Sequence, residues 1–306
     1  MIKIIFFDID GTLRPFETGR IPDSAKLAVK RAQRAGILCA IATGRHWMEI
    51  YGERLIEELF FDAYVTLDGE FCYVLPHSPR STAQSPLRDP SFRFDLRAEG
   101  RLAPEMDPRL GDIVQKIPLP TEQVMAVLRL ADRERFPVLI QEERRIYANL
   151  VNEELLRCLY EIRNDIVPPA LPIREAAENP VYMLIPVLSY EESLKIPPLI
   201  PDCQLVRWSD GRSFDLTKKG INKSSGIDAI LRHLRLSRSE AAAIGDGWND
   251  IDMLSRVGLG IAMGNAKPEC REAADHVCPP ILEDGLAHAV DWILQRNREE
   301  GVRRKG

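Results

Sequence analysis

Residues 6–13 read "FFDIDGTL": an apolar run that meets two acids one position apart, Asp8 and Asp10, and then a glycine. Like charges this close raise each other's pKa and oppose folding unless a cation sits between them. Residues 2–7 are β-branched and aromatic at odd and even positions alike, so both faces would be buried, as in a strand of a parallel sheet. The two aspartates then stand at the carboxyl end of a first buried strand, where open α/β sheets collect their ligands.

Outward from this strand the chain alternates. In "PDSAKLAVKRAQRAG" (22–36) the small and apolar positions Ala25, Ala28, Val29, Ala32 and Ala35 fall on one face and the Lys and Arg residues on the other. Asp23 or Ser24 is expected to cap this helix and Gly36 to stop it. "ILCAIA" (37–42) follows as a second buried strand, which completes a right-handed crossover unit with parallel strands. The alternation returns late in the chain: Ile227, Ile230, Leu231 and Leu234 mark a helix, "AAAIGD" a strand, and "GLGIAMGN" another strand running into a turn.

The segment between differs. "FPVLIQ" and "RIYANL" read as paired strands, residues 152–163 as a helix, and "VYMLIPV" as a further strand. The reading is therefore an α/β protein: a parallel-sheet, Rossmann-like core made of residues 1–81 and 217–306, interrupted by an α+β insertion over 82–216. Residues 76–108, rich in Pro, Arg and Ser, carry little periodicity; a lid and an inert surface loop both fit.

Composition excludes several classes. The 306 residues are 45% hydrophobic and 28% charged, which suits an ordinary globular protein large enough for two domains. The net charge of -5 comes without a block of Lys or Arg before the "VRRKG" tail, so nucleic acid is not expected as a partner. The six cysteines form no Cys-x-x-Cys pair and read as reduced, buried thiols. No stretch approaches the roughly 18 apolar residues of a spanning helix, and "MIKIIFF" meets acid before a signal-peptide core forms. No membrane association and a cytoplasmic location are the expectations; oligomeric state is not readable.

Three more polar clusters end strands as Asp8 and Asp10 do. "IATGR" places Thr43, Gly44 and Arg45 after the second strand, "IGDGWND" places Asp246, Asn249 and Asp250 after a later one, and Lys223 opens the helix before it. A divalent ion held by Asp8 and Asp246 would offset the repulsion among these carboxylates, and oxygen-only ligands favour Mg²⁺. Zinc is disfavoured, because none of the five histidines falls in this constellation. A cation, a lysine, a threonine hydroxyl and free backbone amides at Gly11 and Thr12 suit a phosphoryl group. Asp8 would attack phosphorus and become an aspartyl phosphate; Asp10 would protonate the leaving oxygen and then activate water.

Taken together, "DIDGT", "ATGR", the lysine of "GINKSSG", "GDGWND" and the later "IAMGNA" resemble the signatures of the haloacid dehalogenase superfamily, in its Cof-type branch with an inserted α/β cap. The resemblance implies Asp8 as nucleophile and Asp10 as acid and base whose main-chain carbonyl also ligates Mg²⁺. It implies Thr43, Lys223 and Asn249 on the phosphate side, Asp246 as metal ligand, and Asp250 supporting metal waters or the lysine. The substrate would be a small phosphorylated metabolite, a sugar phosphate or a phosphorylated cofactor. One departure stands out: similar proteins usually carry Asn-Gly after the third strand, where this chain has Asp68-Gly69.

Blander readings accompany each signal. Aspartate before glycine commonly makes a turn. An EF-hand is excluded because Leu13 holds the sixth position, where glycine is required. Thr43 and Gly44 also suit the cap of a helix starting near His46, Lys223 a solvated first turn, and Trp248 a packing residue under the metal site. Arg45 would reach either the substrate or carboxylates of the insertion. A phosphotransferase or mutase would use the same aspartyl phosphate, and a non-catalytic phospho-ligand regulator the same acidic site, although it would not require Asp10.

Overall fold

A computed structural model describes residues 1–75, 111–164, 167–208 and 210–303. The stretch 76–108 lies outside these residues. Two sheets organise the chain. The larger contains β1 (Ile4–Phe7), β2 (Leu38–Ala42), β3 (Ala63–Thr66), β4 (Phe71–Val74), β5 (Asp112–Lys116), β11 (Ala241–Gly245), β12 (Leu259–Ala262) and β13 (His276–Val277). Their order is β13-β12-β11-β1-β2-β3-β4-β5. The first six in this order run parallel, while β4 and β5 are antiparallel additions at one edge.

Both faces of this sheet are covered, which explains the unbroken apolar run at the start of the chain. Ile5 and Phe7 pack among residues of α1 (Asp23–Arg34) and of the long C-terminal helix 285–303, whereas Ile4 and Phe6 pack among residues of the helices at 223–234 and 251–256. The first helix departs from expectation at both ends. Its cap residue is Pro22, with no side-chain capping bond, because Asp23 is already helical and its carboxylate pairs with Lys26 at 3.7 Å instead. Gly36 does end it, at φ 78°, but Ala35 has left the buried face.

The smaller sheet is antiparallel throughout. It contains β6 (Val138–Glu142), β7 (Ile146–Ala148), β8 (Val181–Pro186), β9 (Cys203–Arg207) and β10 (Phe214–Lys218), in the order β7-β6-β8-β10-β9. One face, with Val138, Ile140, Leu184 and Leu216, packs on the amphipathic helix 121–134. The opposite face, with Leu139, Met183 and Ile185, joins the core that contains Trp47 and Phe71. Strand β5, inside the 82–216 expected for the insertion, is an edge strand of the larger sheet, and β10 continues past 216 in the smaller one. By sheet membership the chain crosses after Lys116 and returns after Lys218.

Parallel register positions the site. Phe7 lies level with Ile41 on one side and Ile244 on the other, so Asp8, Thr43 and Asp246 leave three adjacent strands at the same end of the sheet.

Candidate active site

Asp8 follows β1 and fixes its own backbone by donating its N–H to the Ile244 carbonyl at 3.0 Å. Lys223, the first residue of α6 (Lys223–Leu234), is 1% exposed and donates to Asp8 Oδ1 at 2.7 Å and to Asp250 Oδ1 at 2.6 Å. The solvated first-turn reading of this lysine is thereby overturned. Asn222 caps the helix by accepting from Ser225 N–H, which sets Lys223 at the turn facing β1. Asp8, Asp246 and Asp250 each bring a carboxylate oxygen within 4.8 Å of the others.

Among the described residues, Asp8 and Asp246 each keep one oxygen unengaged. Asp246 Oδ1 accepts from the Thr12 hydroxyl at 2.8 Å, and Asp8 uses Oδ1 for Lys223. Asp250 is occupied at both: Oδ2 accepts the N–H groups of Asp246 and Gly247 at 2.8 and 2.9 Å. A hard divalent cation therefore fits Asp8 and Asp246 as direct ligands, while Asp250 orients the loop and the lysine. Gly11 permits this approach, since at φ 89° a Cβ there would lie 2.2 Å from Asp246 Oδ2.

Without a cation the cluster is strained electrostatically. Burial, and then the neighbouring carboxylates of Asp250 and Asp246, push Asp8 well above the usual carboxylate range, although Lys223 pulls it back. Asp246 is pushed up to about 7 by burial and by Asp250. Burial alone would depress Lys223, but Asp250, Asp8 and Asp68 outweigh it and push its pKa upward.

Asp10 stands outside the carboxylate cluster. Its oxygens accept from Arg45 Nε at 2.8 Å and Arg45 Nη2 at 3.2 Å. Arg45 also donates to the Ile162 carbonyl at 2.7 Å, so it meets the insertion at a carbonyl rather than at a carboxylate. The amides of Gly11 and Thr12, expected to be free, are used within the turn by Arg14 and Ile9 carbonyls. Thr43 Oγ1 accepts from Arg45 N–H at 3.1 Å, which leaves its O–H available to donate. The helix after this loop, α2 (Trp47–Gly52), is capped by His46 together with Glu49, not by Thr43 or Gly44.

Other neighbours complete the site, and of these Asp215 was not legible from motifs. Asn249 donates to Asp68 Oδ1 at 3.1 Å, and the carboxyls of Asp68 and of Asp215 in β10 lie together beside Gly44, with Asp68 Oδ2 lacking a donor unless one of the pair holds a proton. Burial raises both, Asp215 the more, and a Trp208 side-chain hydrogen bond moderates it. Asn265 braces the nucleophile loop by donating to Gly11 O and accepting from Ile281 N–H, each at 2.9 Å. Trp248 does not pack under the site; it is 39% exposed at the rim and bonds to Glu269. A cavity of about 540 Å³ joins these parts, lined by Asp8, Thr43, Asp246 and Asn249 on one side and by strands of the smaller sheet on the other.

A family model of haloacid dehalogenase-like hydrolases matches residues 5–85 and 100–290. The Bacillus subtilis (strain 168) protein YkrA is 29% identical over 289 residues, covering 94% of this chain and 96% of its own. The 5-amino-6-(5-phospho-D-ribitylamino)uracil phosphatase YcsE of the same strain is 24% identical, with 96% of each chain covered. Among solved structures, a sugar phosphatase of haloacid dehalogenase subclass IIB superposes with a TM-score of 0.74 at 31% identity, over 95% of this chain and 98% of that one. With the motif residues gathered at one strand-end crevice and the match spanning both sheets, this chain belongs to the haloacid dehalogenase superfamily of hydrolases, in its Cof-type branch of phosphatases.

Proposed function

We propose that the protein is a Mg²⁺-dependent phosphatase that hydrolyses the monoester of a small metabolite through an aspartyl phosphate on Asp8. The observation that carries this reading is the convergence of Asp8, Asp246 and Asp250 within 4.8 Å around the buried Lys223. Asp8 and Asp246 would hold Mg²⁺, with Asp250 behind them and the main chain of Asp10 as a further ligand. When bound, Mg²⁺ supplies the positive charge that lets an anionic phosphate approach carboxylates.

The chain's own groups account for the rest. Asp8 attacks phosphorus as the ester P–O bond breaks, and the leaving oxygen takes a proton from Asp10. Asp10 then removes a proton from the water that cleaves the acyl phosphate. Arg45 holds the Asp10 carboxylate at the cavity wall, while Lys223 and the Thr43 hydroxyl receive phosphate oxygens. Gly44, with no side chain, lets the phosphate approach the backbone. A small-metabolite substrate is supported by cavity size, within the range of about 300–1,000 Å³ typical of small-ligand sites. It is also supported by relatives named for a sugar phosphate, a phosphoribitylamino-uracil and, in Yersinia enterocolitica, HMP-PP.

The test is phosphate release across sugar phosphates, nucleotides, flavin mononucleotide and pyridoxal phosphate, with Asp8→Asn as the blank. Activity should fall at least about 1,000-fold in Asp8→Asn, because an amide of nearly the same shape is a poor nucleophile. It should vanish with a chelator and return with Mg²⁺. Retained turnover in Asp8→Asn removes the nucleophile assignment, and turnover in chelator removes the metal.

A further inference from the structure

One side of the cavity is a wall made by the smaller sheet, and its register is informative. Leu139 pairs with Ile185, Leu184 with Leu216, and Asp215 with Val206, which sets Leu139, Ile185, Asp215 and Val206 in one row across four strands. Gln141 lies on the same face, two residues along β6. All five line the cavity. Gln141 is 1% exposed, and its Oε1 has no donor. A buried amide oxygen left without a partner is costly, and a ligand N–H or O–H would remove that cost.

The charges around the cavity are lopsided. The carboxylates of Glu17, Glu161 and Asp210 line it, against Arg207 and Lys267. Arg207 turns to the Gly211 carbonyl at 2.9 Å and lies over the Tyr190 ring at 5.1 Å; Lys267 lies over the Trp248 ring at 5.2 Å. With Arg45 paired to Asp10, a second anionic group on a ligand would meet more carboxylates than cations along this lining.

We propose that this wall selects phosphate monoesters whose organic part is neutral or cationic and donates an N–H or O–H to Gln141 Oε1, and that it rejects esters carrying a second anion. The inference rests on the reading of the Asp8 end as the phosphate site.

Three matched probes test it: glucosamine 6-phosphate, glucose 6-phosphate and 6-phosphogluconate, which carry an amine, no further charge and a carboxylate. Calorimetric binding to Asp8→Asn with Mg²⁺ measures selection without turnover, and phosphate release by the parent protein measures the phosphatase reading separately. The first two esters should bind at least about ten-fold tighter than the third. Gln141→Met, similar in length but without the acceptor, should weaken both by about five- to ten-fold, and Glu161→Gln, which removes a lining carboxylate, should bring 6-phosphogluconate within about three-fold of glucose 6-phosphate. Equal binding of all three esters, no saturable binding of the first two at millimolar concentration, or full affinity in a Gln141→Met protein with parental melting overturns the proposal. The expected binding order without any phosphate release would leave the selection standing and sink the phosphatase reading.

Discussion

Asp68 shows how one atom's chemistry changes a junction. As a carboxyl beside the carboxyl of Asp215 it bonds only through a proton, and both groups are raised above their ordinary values by burial. The native state then holds protons that the unfolded chain has lost, so this pair stabilises at low pH and its contribution declines as pH rises above the ordinary carboxylate range. Asp68→Asn would keep the acceptor for Asn249 and offer an N–H to Asp215 with no proton required. The variant is expected to gain about 1 kcal/mol over the parent near pH 8 and nothing near pH 4. Urea unfolding at the two pH values checks this, and equal gains at both would remove the shared proton.

Helix α6 illustrates a conflict between local preference and packing. Glycine inside a helix costs about 1 kcal/mol relative to alanine, so Gly226 looks like a position to improve. A Cβ there would sit 2.5 Å from Val65 Cγ1, 2.8 Å from Cys72 Sγ and 3.1 Å from the Gly69 backbone. Overpacking of this kind costs about 1–3 kcal/mol. We expect Gly226→Ala to destabilise by about 1 kcal/mol net and to lower activity by moving Lys223, the first residue of the helix, away from Asp8. A stabilised variant with parental kcat would overturn the argument from packing at Gly226.

At the level of the whole molecule, the two sheets are joined through polar contacts as well as a continuous core. His46 and Trp47 bond to the carbonyls of Glu142 and Glu143 at 2.7 and 2.8 Å, and Asn164 donates to Glu49 at 3.1 Å. Where the chain returns, Glu70 Oε1 accepts the Lys218 N–H at 2.6 Å while its Oε2 has no donor. Burial pushes Glu70 up to about 8, against an ordinary value of 4.5. Between those values the folded protein keeps a proton that the unfolded chain releases, so stability falls as pH rises through this window and levels off above it. Glu70→Gln should flatten that decline and exceed the parent by on the order of 2 kcal/mol near pH 8.5, with no gain near pH 4. Parallel stability profiles for the two proteins would dispose of this account.

The elements that build the crevice were legible because their signals are local: apolar runs buried on both faces, a helical stripe at Ala25, Ala28, Val29 and Ala32, and acids placed where strands end. Lys223 was singled out over Lys218 and Lys219 by the resemblance of "GINKSSG" to a family signature. Strand β5 was not legible, since "DIVQK" is a half-exposed edge strand whose partner β4 lies across 37 intervening residues. The Pro22 cap also escaped, because a polar residue near a helix start does not reveal which residue is the first helical one. The sequence alone therefore determined the alternation of strand and helix and the set of acids that end the strands, because both follow from short-range steric and solvation preferences. Tertiary structure alone decided that Arg45 closes on Asp10, that Asp68 meets Asp215, and that Gln141 faces the cavity with its oxygen unpaired. Those contacts join residues far apart in the chain, and their energies depend on burial, which exists only once the two sheets have packed.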